Sequence, residues 1–227
     1  MAALSTAQAA GPNLISNGDF ETGTMAGWTV VDQAEGAGSW FISAPGTDSP
    51  VSGYPTAPNA AGGSYYAVTD SPGNPGCHVL LQGFTLAEAA TLRLSCQMFV
   101  NSQTISSNSG TLDFTIELSQ YGRVDLLAGT ATPFSTAEAD VLQTFYAGCD
   151  PQASNPNPYT TYSYDLSLAA GDYQLRFGEV DTQNYLQMGV DNVSLTVVPE
   201  PAAWRIGGLW GLSLAGLAWR WRSKRKR

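Results

Sequence analysis

Apolar and polar residues alternate with period two along much of this chain. Leu92, Leu94, Cys96 and Met98 alternate with Thr91, Arg93, Ser95 and Gln97, and Leu112, Phe114, Ile116 and Leu118 alternate with Asp113, Thr115, Glu117 and Ser119. Tyr162, Tyr164, Leu166 and Leu168 repeat the pattern, as do Tyr173, Leu175 and Phe177. A segment of this kind buries one face and wets the other, which is the signature of an antiparallel strand. Shorter apolar runs at 13–15, 28–31, 39–43, 65–68, 79–84 and 123–127 read as further strands. Residues 44–63, with Pro45, Pro50, Pro55 and Pro58 among several glycines, read as a long surface loop. Only residues 138–144 carry a helical reading within this part of the chain.

The last run contains a phase slip. Met188 and Val190 are apolar at even positions, whereas Val193, Leu195 and Val197 are apolar at odd ones. Alternation changes phase only where a residue is inserted, so the sequence predicts a β-bulge at Asp191-Asn192. Many short strands, Gly/Pro turns and almost no helix predict an all-β sandwich over residues 11–198.

Past residue 198 the pattern changes. Pro199-Glu200-Pro201 can neither continue a helix nor donate to a central strand. Residues 202–219 then give 18 largely apolar positions, about 27 Å of helix against a bilayer core of about 30 Å. Arg205 interrupts them within one turn of the outer end, where an arginine can snorkel. Trp204 lies near one end, and Trp219 and Trp221 near the other, as interfacial aromatics do. Arg222, Lys224, Arg225, Lys226 and Arg227 follow, and such a cluster stays on the cytoplasmic side. The expectation is a single C-terminal transmembrane helix with its basic end inside.

Charge divides at the same place. Residues 1–198 hold 18 carboxylates against Arg93, Arg123 and Arg176, a net of −15 with no lysine, while the tail is net +6. An acidic body argues against nucleic-acid or anionic-membrane binding, both of which need cationic surface. Ala7-Gln8-Ala9 fits the small-x-small cleavage pattern, so residues 1–10 read as the end of a signal peptide.

The tripartite tail, residues 198–227, resembles the PEP-CTERM sorting signal of Gram-negative bacteria. That resemblance implies export, recognition by an exosortase (a membrane cysteine transpeptidase) and cleavage near Pro199-Glu200-Pro201. It implies a protein of the cell envelope or exterior, held transiently in the inner membrane, in bacteria that make exopolysaccharide. Two further motifs, Asn17-Gly18-Asp19-Phe20-Glu21 with Trp28 and Asp191-Asn192-Val193-Ser194-Leu195, resemble the ends of jelly-roll carbohydrate-binding modules and the galactose-binding-like fold. They imply a jelly-roll β-sandwich whose first and last strands lie close together around a structural calcium. Glu21 and Asp191 would then supply side-chain oxygens, and Asp19 a side chain or carbonyl. Oxygen-rich sites of this kind suit hard cations; the competing reading is ordinary turn carboxylates.

The remaining chemistry is sparse. Of three cysteines, Cys96 falls in the apolar phase of its strand and reads as a buried thiol. Cys77 and Cys149 read as loop residues and are the preferred disulfide pair in an exported chain. His78, the single histidine, reads as a surface or loop-packing residue, and no Gly-x-Ser-x-Gly elbow accompanies it. No catalytic residue is assigned, and the body reads as non-enzymatic. Its expected role is structural or adhesive in an exopolysaccharide matrix; the alternative is a lectin-like carbohydrate-binding module, and a glycoside-active enzyme ranks third. Aromatic residues available to a sugar are Trp28, Trp40, Tyr54, Tyr65, Tyr66, Tyr159, Tyr162 and Tyr185.

Overall fold

A computed structural model describes residues 11–44, 48–56, 61–102, 108–116, 118–148, 156–183 and 185–199. The chain divides into two units, Pro12–Val197 and a second formed by Met1–Gly11 with Val198–Arg227. Nearly all of the second unit, including the expected membrane helix, Glu200, Pro201 and the basic cluster, lies outside the described residues.

The larger unit contains ten strands: β1 Thr29–Asp32, β2 Ser39–Ser43, β3 Tyr66–Asp70, β4 Gly76–Leu86, β5 Ala90–Ser102, β6 Gln120–Ala128, β7 Val141–Gly148, β8 Thr160–Leu168, β9 Gly171–Asp181 and β10 Leu186–Val197. They form two five-stranded sheets, β1-β4-β9-β6-β7 and β2-β3-β10-β5-β8. Every pairing is antiparallel. Strands β3 to β10 alternate between the sheets except for the β6–β7 hairpin, in the order of two interleaved Greek keys, which is a jelly roll; β1 and β2 extend one edge of each sheet. The unit is therefore an all-β jelly-roll sandwich, with no helix among the described residues.

The predicted alternation buries the expected faces. Leu92, Leu94, Cys96 and Met98 on β5 meet Leu80 on β4, Val124 and Leu126 on β6, and Leu175 and Phe177 on β9 in the core between the sheets. A second apolar cluster lies on the other face of β4, β6 and β9, where Cys77, Val79, Leu81, Tyr121, Leu127 and Val180 are covered by Leu112, Phe114, Ala131 and Phe134. The central strands β4, β6 and β9 are thus covered on both faces, by the facing sheet on one side and by loops on the other.

The bulge falls where the phase slip places it. The β10–β5 register shifts between Asp191 and Ser194, so Asn192 and Val193 together oppose one residue of β5. Asn192 takes φ 50°, a left-handed conformation that asparagine tolerates. The bulge turns the Val193 amide toward the Gly18 carbonyl at 2.8 Å. Only glycine fits at 18, because a Cβ there would sit 2.0 Å from the Val193 carbonyl oxygen.

Four expectations are corrected. Residues 112–116 form bends and turns, and 118–119 are irregular, in place of the expected strand. Asp113 accepts the backbone N–H and hydroxyl of Thr115, and the Phe114 N–H donates to Gln33, so side chains satisfy the backbone in place of a ladder. Residues 138–144 make one turn and then enter β7, since Thr144, Phe145 and Tyr146 favour a strand against β6. Asn13 breaks the expected opening strand by accepting the amides of Ile15 and Leu195 with its side chain. Cys77 lies on β4, fully buried and free among the described residues, rather than in a loop; Cys149, its expected disulfide partner, lies outside the described residues.

Candidate binding site

At one end of the sandwich, where β3 ends and β10 begins, a cleft of about 430 Å³ is lined by Val51, Ser52, Tyr54, Ser71, Pro72, Gly73 and Tyr185. Its size is within the range of small-molecule sites. One wall is the turn between Asp48 and Pro55, which form an isolated bridge. The Ser49 amide donates to the Tyr54 carbonyl at 2.9 Å, and Gly53 takes φ 69°, so the chain reverses and projects Tyr54 outward. The Tyr54 ring lies 4.6 Å from that of Tyr185, tilted by 57°. Tyr185 is 5% exposed and Tyr54 43%, so one ring anchors and the other is offered to solvent. The Tyr185 hydroxyl donates to Gln187 at 3.0 Å.

A single buried carboxylate holds both walls. Asp70 Oδ2 accepts the amides of Val51 at 2.6 Å and Ser52 at 2.9 Å, and Oδ1 accepts that of Ser71 at 3.0 Å. Asp70 thereby spends its acceptors on the loops. No carboxylate is among the described residues lining the cleft. Below lies Glu179, fully buried on β9, its carboxyl pushed well above the usual range by burial and then by the neighbouring Asp181 and Asp70.

The other aromatic candidates are placed elsewhere. Trp28, Trp40 and Tyr66 are buried, Tyr159 packs edge-on against Tyr66 and Phe99, and Tyr162 on β8 packs against Tyr146 on β7. Tyr65 is exposed and faces Gly23.

The three proposed calcium ligands are only partly brought together. Glu21 Oε1 accepts the amides of Ser64 at 2.7 Å and Tyr65 at 2.9 Å, and Asp191 Oδ2 accepts that of Gly62 at 3.2 Å, so one loop bridges both carboxylates. Asp191 is pushed up to about 6, mainly by burial, with Glu21 adding repulsion. Asp19 stands apart, exposed in an open hollow of about 270 Å³ with Asn13, Asn17 and Asn192. Among the described residues no group of three or more His, Cys, Asp or Glu side chains is placed to hold a metal ion. The donors are the right oxygen type, and a calcium between Glu21 and Asp191 would take the rest of its six to eight oxygens from carbonyls and water.

His78 corrects a further expectation. It is 1% exposed on β4, with Nδ1 2.8 Å from Asp32 Oδ1 and Nε2 2.9 Å from the Ala37 carbonyl oxygen. The ring ties β4 to the β1–β2 connection. Ser39 donates to the far oxygen of Asp32 at 2.9 Å, which puts the carboxylate rather than the imidazole between serine and histidine. That order is not the relay of a nucleophilic triad.

No protein-family model matches the sequence, nor does any curated protein. Among solved structures, the chain is similar to the enzymatically active domain of tailspike protein 4 from bacteriophage CBA120, with 13% identity, a TM-score of 0.49 and coverage of 82% of this chain but 21% of that one. It is similar to the Stig cyclase Fisc from Fischerella sp. TAU, with 16% identity, a TM-score of 0.48 and coverage of 84% and 99%. It is also similar to a family 16 carbohydrate-binding module, with 14% identity, a TM-score of 0.48 and coverage of 81% and 99%.

Proposed function

We propose that the jelly-roll unit is a non-catalytic carbohydrate-binding module that takes a neutral sugar in the Tyr54–Tyr185 cleft. The observation that carries this reading is the exposed Tyr54 ring braced on a buried Tyr185 in a cleft whose other walls are Val51, two serines, a proline and a glycine. A ring face covers the apolar face of a pyranose, while the Ser52 and Ser71 hydroxyls line the cleft bonded to the Ser49 hydroxyl and the Asn74 carbonyl. Among the described residues lining the cleft there is no carboxylate of the kind a glycosidase pairs. Titration of neutral oligosaccharides by calorimetry, led by a glycan array, tests the reading. Tyr54→Ala is expected to weaken binding at least about tenfold, or 1.4 kcal/mol, with an unchanged melting temperature. An array on which the wild type binds nothing removes the proposal.

The tail is the address in this proposal: an exosortase cuts near Pro199-Glu200-Pro201 and leaves the module at the envelope or outside. The intact mass of protein from a host with the transpeptidase, against one lacking it, is expected to differ by the residues beyond the motif. Equal masses reject the sorting role and leave the cleft untouched.

Calcium belongs to the proposal as a stabilising ion between Glu21 and Asp191. It would offset the repulsion of the paired carboxylates and hold the 61–65 loop down. Saturating calcium is expected to raise the melting temperature by several degrees, because a ligand at about 100 times its Kd adds about 2.7 kcal/mol. Asp191→Asn should abolish that increment, and a melting curve indifferent to chelator rejects the ion.

A further inference from the structure

The jelly roll leaves four outer strands, β1 and β7 in one sheet and β2 and β8 in the other. Exposed edges are templates for pairing, and proteins blunt them with short length, bulges, proline or lysine. β1 and β2 span four and five residues. β7 carries two register shifts against β6. β8 differs from all three. It runs nine residues, Thr160–Leu168, in unbroken register with β5, and contains no proline, glycine or lysine. No described strand pairs with its outer side. Its one charge, Asp165, is neutralised by a bidentate pair with Arg93, both contacts at 2.7 Å.

We infer that β8 is a dimerisation edge that pairs antiparallel with β8 of a second copy about a two-fold axis at Tyr164. The sequence of the strand is self-complementary in that register. On the solvent face Thr161 would meet Ser167, and Ser163 would meet Asp165; on the core face Tyr162 would meet Leu166, and Tyr164 its own counterpart. Hydroxyl pairs, aromatic–aliphatic and aromatic–aromatic pairs are the favourable cross-strand combinations, and no like charges face each other. The product would be a ten-stranded sheet across two sandwiches, and each dimer would carry two clefts, which raises avidity for a repeating polymer.

Sedimentation equilibrium on the full chain in non-ionic detergent tests this. The wild type is expected to dimerise reversibly. Its dimer should tighten with added salt, because each copy carries a net charge of −9 and salt screens their repulsion. Thr161 and Ser167 are exposed, so the double variant T161K/S167K should melt like the wild type yet dimerise at least about tenfold more weakly, since lysine then opposes lysine twice. T161E/S167E should fail alone in the same way, and an equimolar mixture of the two should restore a heterodimer. A wild type that stays monomeric to about 200 μM overturns the inference. So do lysine variants that dimerise as tightly as the wild type, which would place any association elsewhere.

Discussion

Replacing Asp125 by alanine is expected to cost the fold about 3–5 kcal/mol, the range for removing one partner of a buried ion pair. Asp125 lies on β6, on the face that the loops cover, and is 0% exposed. Its Oδ2 accepts Arg176 Nη2 at 2.6 Å, Arg176 Nε at 3.0 Å and Arg123 Nε at 2.6 Å, while Oδ1 accepts Arg123 Nη2 at 2.7 Å and the Thr144 hydroxyl at 2.8 Å. Arg176 is fully buried, and its Nη1 donates to the carbonyls of Pro133 at 2.8 Å and Ser135 at 2.7 Å. One carboxylate therefore balances two guanidiniums and, through Arg176, fastens the 129–137 loop to the sheet. Alanine leaves both arginines buried without a counter-charge. At about 2–4 °C per kcal/mol for a unit of this size, the melting temperature should fall by at least about 6 °C. Circular dichroism melts read this directly, and a loss below about 2 °C rejects the argument. Asp165→Ala should change little, because the Arg93–Asp165 pair lies in solvent, where screening and side-chain entropy cancel most of the attraction.

That network was partly legible in the chain. Arg123 and Asp125 stand two apart in a strand and so share a face, and the body has only three cations to place. Nothing local shows that the shared face is buried, because its cover comes from loops distant in sequence. The same distinction runs through the fold. The phase slip at Asp191-Asn192 is a local consequence of the two-residue period, and the bulge follows from it. The strand pattern at 112–118 is equally local, yet Ile116 and Leu118 are 48% and 63% exposed, because the side chains of Asp113 and Gln33 offer the backbone other partners. At 141–148 tertiary pairing with β6 overrides a helical reading. Tyr54 and Tyr185 were both candidates, but 131 positions separate them, and they meet only because the jelly roll sets β3 beside β10.

Glu179→Gln is expected to act in the opposite direction to the loss of Asp125, and to do so only above the acid range. Glu179 points between the sheets, is 1% exposed, and has Oε2 without a hydrogen-bond partner among the described residues. Burial and then Asp181 and Asp70 raise its carboxyl well above the ordinary 4.5. The folded chain therefore keeps this proton at pH values where the unfolded chain has released it. With more protons bound to the folded state, stability falls as pH rises from about 4.5 toward the folded value, by about 1.4 kcal/mol per pH unit for one group. Below about 4.5 both states are protonated and the penalty disappears. Glutamine keeps the shape, removes the titration and adds amide hydrogens facing acidic neighbours. Denaturant unfolding at several pH values should show wild type and variant alike near pH 4 and diverging in favour of the variant as pH rises. Asp191, raised in the same direction to about 6, is present in both proteins and cancels in the difference. Parallel pH profiles would mean that Glu179 ionises in the folded state as readily as in the unfolded one, and that the polar end of the core is open to water beneath the cleft.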